Sequence, residues 1–156
     1  MENNFSIIIS TCDKFSDLWD VHILLLNQNW ADRNVETFLV TDKPTDRTFK
    51  NVTVVAAGEG TEITERLKAV MPLIKTEYIL FTLDDYFLTE SISTQAINED
   101  IQIMEKHQMD YLRLFVMTMK SLRNRKAEEL EPDIFLLDNY AGDYIISLYA
   151  GIWKKD

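Results

Sequence analysis

Asp84 and Asp85 stand side by side at the end of Tyr78–Leu83 (YILFTL), the most apolar run in the chain. Two adjacent carboxylates leaving a buried segment raise each other's cost of ionisation, so something must offset them. A hard divalent cation with oxygen ligands, Mn2+ or Mg2+, suits such a pair and keeps positions free for phosphate oxygens. The competing reading is a plain acidic turn that caps the next segment of chain. Asp13 follows Ser10-Thr11-Cys12 after an earlier apolar run, and Asp42 follows another. Each alone is ordinary turn chemistry; at neighbouring strand ends they add weight to a ligand-binding reading. Arg66 reads either as a solvated helix residue or as a clamp on a phosphate or base. Cys12 has no histidine near it in sequence to activate it and reads as a small polar filler. His22 and His107 fall in helical patterns, as surface or core-edge residues. Trp19, Trp30 and the methionines Met104, Met109, Met117 and Met119 read as packing. GxGxxG and GxxxxGK[ST] are both absent, so dinucleotide and P-loop sites lack their fingerprints.

The elements that would carry these residues alternate in period. Phe5–Ser10 (FSIIIS) is a short run rich in β-branched residues, as in a strand covered on both faces. From Ser16, a plausible N-cap, Trp19, Ile23, Leu26 and Trp30 mark one face of a helix. Val35–Val40 and Val52–Ala56 predict two more strands, the first closed by Thr41-Asp42-Lys43-Pro44, the second broken by Gly58-Glu59-Gly60. A helix from Thr61 buries Ile63, Leu67, Val70 and Ile74, with Pro72 set to shorten or kink it. Tyr78–Leu83 is the expected central strand, and Ser93–Lys106 a third helix with Ile97, Ile101 and Met104 inward. Tyr111–Val116 predicts a strand, and Lys120–Glu131 a loop or exposed helix. Ile134–Leu137 and Tyr144–Ala150 predict short strands. The alternation through residue 117 predicts an α/β fold, a mostly parallel Rossmann-like sheet flanked by helices. In such sheets ligands bind outside the carboxyl ends of the strands, where the acidic residues gather.

With 156 residues, 46% of them hydrophobic and 27% charged, the chain reads as a single domain over residues 1–156. The net charge of −10 disfavours nucleic acid and repels an anionic membrane surface, so a small anion would need a cation's help. One cysteine excludes an internal disulfide and fits a reducing compartment. No apolar stretch approaches the roughly 20 residues of a transmembrane segment. The expected location is cytoplasmic, with a peripheral seat at the inner face of the membrane left open.

FSIIISTCDKF, the Thr-Asp after the second strand, the ITERLK helix and TEYILFTLDDYFL resemble the nucleotide-sugar-binding half of GT-A-fold glycosyltransferases. The nearest flavour is the bacterial transferases of capsule and lipopolysaccharide polysaccharide biosynthesis. The resemblance covers residues 5–117, with a weaker echo in YIISLYAGIWKKD. It implies that Ser10, Thr11, Cys12 and Asp13 line the base and ribose, and that Asp42 accepts a hydrogen bond from the base. Arg66 would approach base or phosphate, and Asp84 the ribose or a metal-bound water. Asp85 would hold Mn2+ or Mg2+ against the diphosphate. The DxD-like motif reads Leu83-Asp84-Asp85, without the first Asp of a full DxD. In inverting members the catalytic base lies in the acceptor-binding half, which would follow an Ile145–Trp153 strand. The expectation is therefore a truncated or reduced member, apart from its C-terminal acceptor-binding part, with the base unassigned and Asp138 and Asp143 the remaining carboxylates nearby.

The implied function is a hexosyltransferase-type enzyme. It would move a sugar from a nucleoside-diphosphate sugar to a glycan or lipid-linked acceptor, metal-assisted and with inversion. The alternative is a nucleotide-sugar-binding module without turnover of its own. Receiver-like and haloacid-dehalogenase-like readings want their acidic pair after the first strand, where only Asp13 stands. An open sheet edge would also favour a homo-oligomer.

Overall fold

A computed structural model of the chain describes residues 4–114, 118–124, 126–137 and 149–155. Strand β1 (Phe5–Ser10) is buried along its whole length. Its side chains alternate between faces: Phe5, Ile7 and Ile9 join one apolar cluster, Ile8 the other. Helix α1 (Trp19–Asn29) follows, and the four apolar residues expected on one face are all buried. Its start differs from the expectation. Ser16 does not cap the helix; its N–H closes a 3-10 turn (Asp13–Phe15) on the Asp13 carbonyl at 3.0 Å. The indole N–H of Trp19 donates to Thr11 Oγ1 at 2.8 Å, and this contact fixes where the first helical turn lies.

Strand β2 (Thr37–Thr41) begins two residues later than expected, and β3 (Thr53–Ala56) matches closely. Helix α2 (Ile63–Val70) opens with a capping box, the Glu62 N–H donating to Glu65 Oε2 at 2.7 Å. Pro72 shortens this helix as expected, the chain passing into a 3-10 turn at Met71–Leu73. Strand β4 (Tyr78–Leu83) and helix α3 (Thr94–His107) agree with the sequence, with Ser93 Oγ accepting from the Ala96 N–H. Strand β5 is Tyr111–Arg113. Lys120–Glu131 is no simple loop or exposed helix: α4 (Met119–Asn124) leads into β6 (Glu128–Glu131), which pairs with β7 (Ile134–Leu136). Acidic side chains hid this strand, because β6 is set by its hairpin partner and by Glu131 accepting from Lys106 and His107. Residues 144–148 of the expected Tyr144–Ala150 strand lie outside the described residues, and Tyr149 and Ala150 precede β8 (Gly151–Lys154).

Among the described residues six strands form one sheet in the order β3-β2-β1-β4-β8-β5. β1, β2, β3 and β4 are parallel, and β8 runs antiparallel between β4 and β5. One face packs against α1 and α3 through Trp19, Ile23, Leu26, Ile97 and Met104; the other packs against α2 through Val70. This is a mostly parallel α/β sheet flanked by helices, and its register brings the ends of β1, β2 and β4 to one edge. No described helix is long and apolar enough to cross a membrane.

Candidate functional site

At that carboxyl edge the chain leaves β1 as Thr11-Cys12-Asp13, β2 as Asp42 and β4 as Asp84-Asp85. In-register pairing of Ser10 with Val40 and Leu83 makes the three exits neighbours. Asp42 Oδ1 accepts the Asp13 N–H at 2.6 Å and lies 3.3 Å from Thr41 Oγ1. Partial burial pushes the Asp42 carboxyl up. Hydrogen bonds from the Asp13 N–H, its own N–H, Thr41 and the Lys43 N–H outweigh this and hold it below the usual carboxylate range. Lys43 lies 3.5 Å from both Asp13 and Glu59, which raise its ammonium above the ordinary value. Arg66 reaches in from α2: Nη1 donates to the Thr61 carbonyl at 2.5 Å, and Nε sits 3.4 Å from Ser10 Oγ. Ser10, Asp13, Asp42 and Arg66 are thus linked to one edge by hydrogen bonds. Cys12 is half-buried in the same turn.

The acidic pair is divided by its surroundings. Asp84 is only 7% exposed, and its Oδ2 accepts the Thr11 hydroxyl, which in turn accepts the Trp19 indole. Asp85 points into solvent. A chain Trp19–Thr11–Asp84 therefore pins the inner carboxylate to β1 and leaves the outer one available. Beside Asp85, Tyr86 packs on Tyr149 (ring centroids 5.4 Å apart), and the Arg113 guanidinium lies 4.8 Å from the Tyr149 ring centroid. Burial raises the Tyr86 phenol, and Tyr149 and Asp85 add to the shift.

His22 is a correction to the sequence reading, which made it a surface or core-edge residue. It is 3% exposed, and its Nδ1 lies 3.0 Å from the Asp84 carbonyl. A carbonyl only accepts, so Nδ1 carries the proton. Burial lowers its pKa below the ordinary 6.5, against the pull of the Asp84 carbonyl and the Asp84 and Asp85 carboxylates. The signal was present: Trp19, His22, Ile23 and Leu26 follow the i, i+3, i+4, i+7 spacing of one buried stripe. His107 lies at the end of α3, with Nε2 3.0 Å from Glu131 Oε1, away from this edge.

Among the described residues no three His, Cys, Asp or Glu side chains cluster to hold a metal ion. Asp85 still fits a divalent cation in its least demanding mode, one carboxylate plus ligand phosphates and water. Asp84, committed to Thr11, fits as the brace behind it. Asp138 and Asp143 lie outside the described residues.

No family model matches this sequence, and no curated protein matches it. Among solved structures, S. aureus TarS 1-349 matches with a TM-score of 0.58 and 17% identity, over 97% of this chain and 47% of that one. TarS 1-349 in complex with UDP-GlcNAc matches at 22% identity and a TM-score of 0.47, over 70% of this chain and 33% of that one. The chain thus spans about half the length of the first of these TarS structures. At this identity the likeness is one of fold: the chain shares its mostly parallel α/β sheet flanked by helices with part of TarS 1-349.

Proposed function

We propose that this chain binds a nucleoside-diphosphate sugar at the carboxyl edge of its sheet and is the donor-binding part of a glycosyltransferase of hexosyl type. The transfer goes to a glycan or lipid-linked acceptor, with inversion. The observation that carries the reading is the meeting of Asp13, Asp42, Arg66 and the Asp84–Asp85 pair at one sheet edge. Asp42, ionised and already oriented by the Asp13 N–H, accepts a hydrogen bond from the base. Ser10, Thr11 and Cys12 form the floor under base and ribose, and Arg66 approaches base or phosphate. Asp85 holds Mn2+ or Mg2+, and Thr11 and His22 keep the Asp84 segment in place behind it. A cation held there by Asp85 would supply electrostatic stabilisation to a departing nucleoside diphosphate. A protein of net charge −10 that handles an anionic donor needs such a bridge.

Thermal unfolding with a panel of nucleoside diphosphates, with and without Mn2+, tests this. A ligand at about 100 times its Kd stabilises by about 2.7 kcal/mol. One nucleotide should raise the midpoint, the shift should need the metal, and Asp85→Ala should remove it. If no nucleotide moves the midpoint with Mn2+ present, the donor-site reading fails. Binding without release of nucleoside diphosphate from the sugar donor would identify a binding module without turnover of its own.

A further inference from the structure

At the opposite, amino edge of the sheet lies an open cavity of about 700 Å³. Val35, Phe49 and Val52 give it an apolar wall; Asn51, Thr53 and Arg33 give it polar groups. Arg33 is only 7% exposed. Its guanidinium has five N–H donors. Nη1 donates to Thr37 Oγ1 and Nη2 to Asn27 Oδ1, both at 2.5 Å, and both acceptors are neutral. Nε is buried with no hydrogen-bond partner. Among the described residues no carboxylate forms an ion pair with Arg33, although the chain has 26 acidic residues. Asp32, next in sequence, turns its carboxylate to the Thr94 N–H instead, at 3.0 and 3.2 Å.

A buried cation without a counter-charge is strongly unfavourable unless something supplies the negative end. Burial accordingly lowers the Arg33 pKa from its ordinary value. Arginine presents a planar fork of donors that matches a carboxylate. The rest of the lining is mixed, Asn34, Asn51 and Thr53 beside Val35, Phe49 and Val52, so it accepts a small ligand body without demanding that it be wholly apolar. Exposed Glu36 at the rim works against a multiply charged anion and selects for a single negative charge. We propose that this cavity is a second binding site, for a small monocarboxylate held by Arg33. The site lies across the sheet from Asp84 and does not depend on the donor-site reading. The two meet through α1, which carries Trp19 and His22 towards one edge and Asn27 towards the other.

Phenylacetate is a suitable probe and phenylacetamide its uncharged isostere. Binding is followed by the thermal midpoint and by the Arg33 Nε–H signal in a nitrogen-15 NMR spectrum. Phenylacetate should raise the midpoint saturably and shift that signal, and phenylacetamide should do neither. Asn27→Asp places a carboxylate where a neutral oxygen now accepts from Nη2. It should raise the midpoint of the free protein and weaken phenylacetate at least tenfold. Arg33→Gln should abolish binding if it folds, and Asn27→Asp keeps the test decisive if it does not. Equal effects of phenylacetate and phenylacetamide, no saturable shift, or undiminished binding to Asn27→Asp would each overturn the proposal.

Discussion

Thr11 is the residue on which the acidic pair turns. Its hydroxyl donates to Asp84 and accepts from Trp19, so one side chain joins β1, α1 and the end of β4. Thr11→Val keeps the shape and removes both roles. A hydrogen bond to a charged group is worth about 1.5–3 kcal/mol, and a loss of that size is expected in urea unfolding, with Thr11→Ser close to the parent. His22 makes a separate prediction in pH. Its folded pKa is lowered, so below the ordinary value near 6.5 the unfolded chain takes up a proton that the folded chain resists. Stability is therefore fully present above that value and falls as pH drops below it, by no more than about 1.4 kcal/mol per unit for one proton. Asp42 and Glu131, both lowered, lose their contribution only further down, as pH falls through the carboxylate range. Urea midpoints at pH 7.5 and 5.5 should differ for the parent, and the difference should shrink in His22→Gln.

At the scale of elements, β8 shows how tertiary contacts choose a strand. It sits between β4 and β5 because Gly151 lets it approach: a Cβ there would meet the Tyr111 ring at 2.7 Å and the Leu112 carbonyl at 3.1 Å. The ring could swing aside only by giving up its packing on Trp153, and the carbonyl belongs to the sheet backbone. Gly151→Ala should destabilise by about 1–3 kcal/mol, the usual scale for overpacking, as read by chemical denaturation. The first strand and the helices after it were legible because periodicity is local: FSIIIS and the Trp19, Ile23, Leu26, Trp30 stripe need no partner to be recognised. β6 was not legible, since Glu128-Glu129-Leu130-Glu131 has no strand pattern and is defined by β7 and by α3. The offset start of α1 was hidden for the same reason, since Trp19 reaches Thr11 through space.

For the whole molecule, net charge governs how an anionic ligand approaches. At net −10 the protein repels a nucleoside diphosphate at long range, and that repulsion is screened over roughly 8–10 Å at physiological salt. Residual metal-free nucleotide binding, too weak to move the thermal midpoint, should therefore strengthen in calorimetry as salt rises from low to moderate concentration. With Mn2+ present the salt dependence should weaken or reverse, because the cation supplies the attraction. A site dominated by Lys and Arg would weaken steadily with salt in both cases.

The sequence by itself determined the α/β class, the four parallel strands and the gathering of Asp13, Asp42 and Asp84–Asp85 at one edge. Those features come from hydrophobic period and from the rule that ligands meet parallel sheets at their carboxyl ends. Only the tertiary structure decided that Asp84 is bound inward and Asp85 outward, that His22 is buried behind them, and that Arg33 has no acidic partner among the described residues. Each depends on which residues distant in sequence come into contact: Asp84 is pinned by Thr11, 73 residues away, and Asp32 turns to Thr94, 62 residues away. Local period records which face of an element is apolar, but not which polar groups meet across the faces.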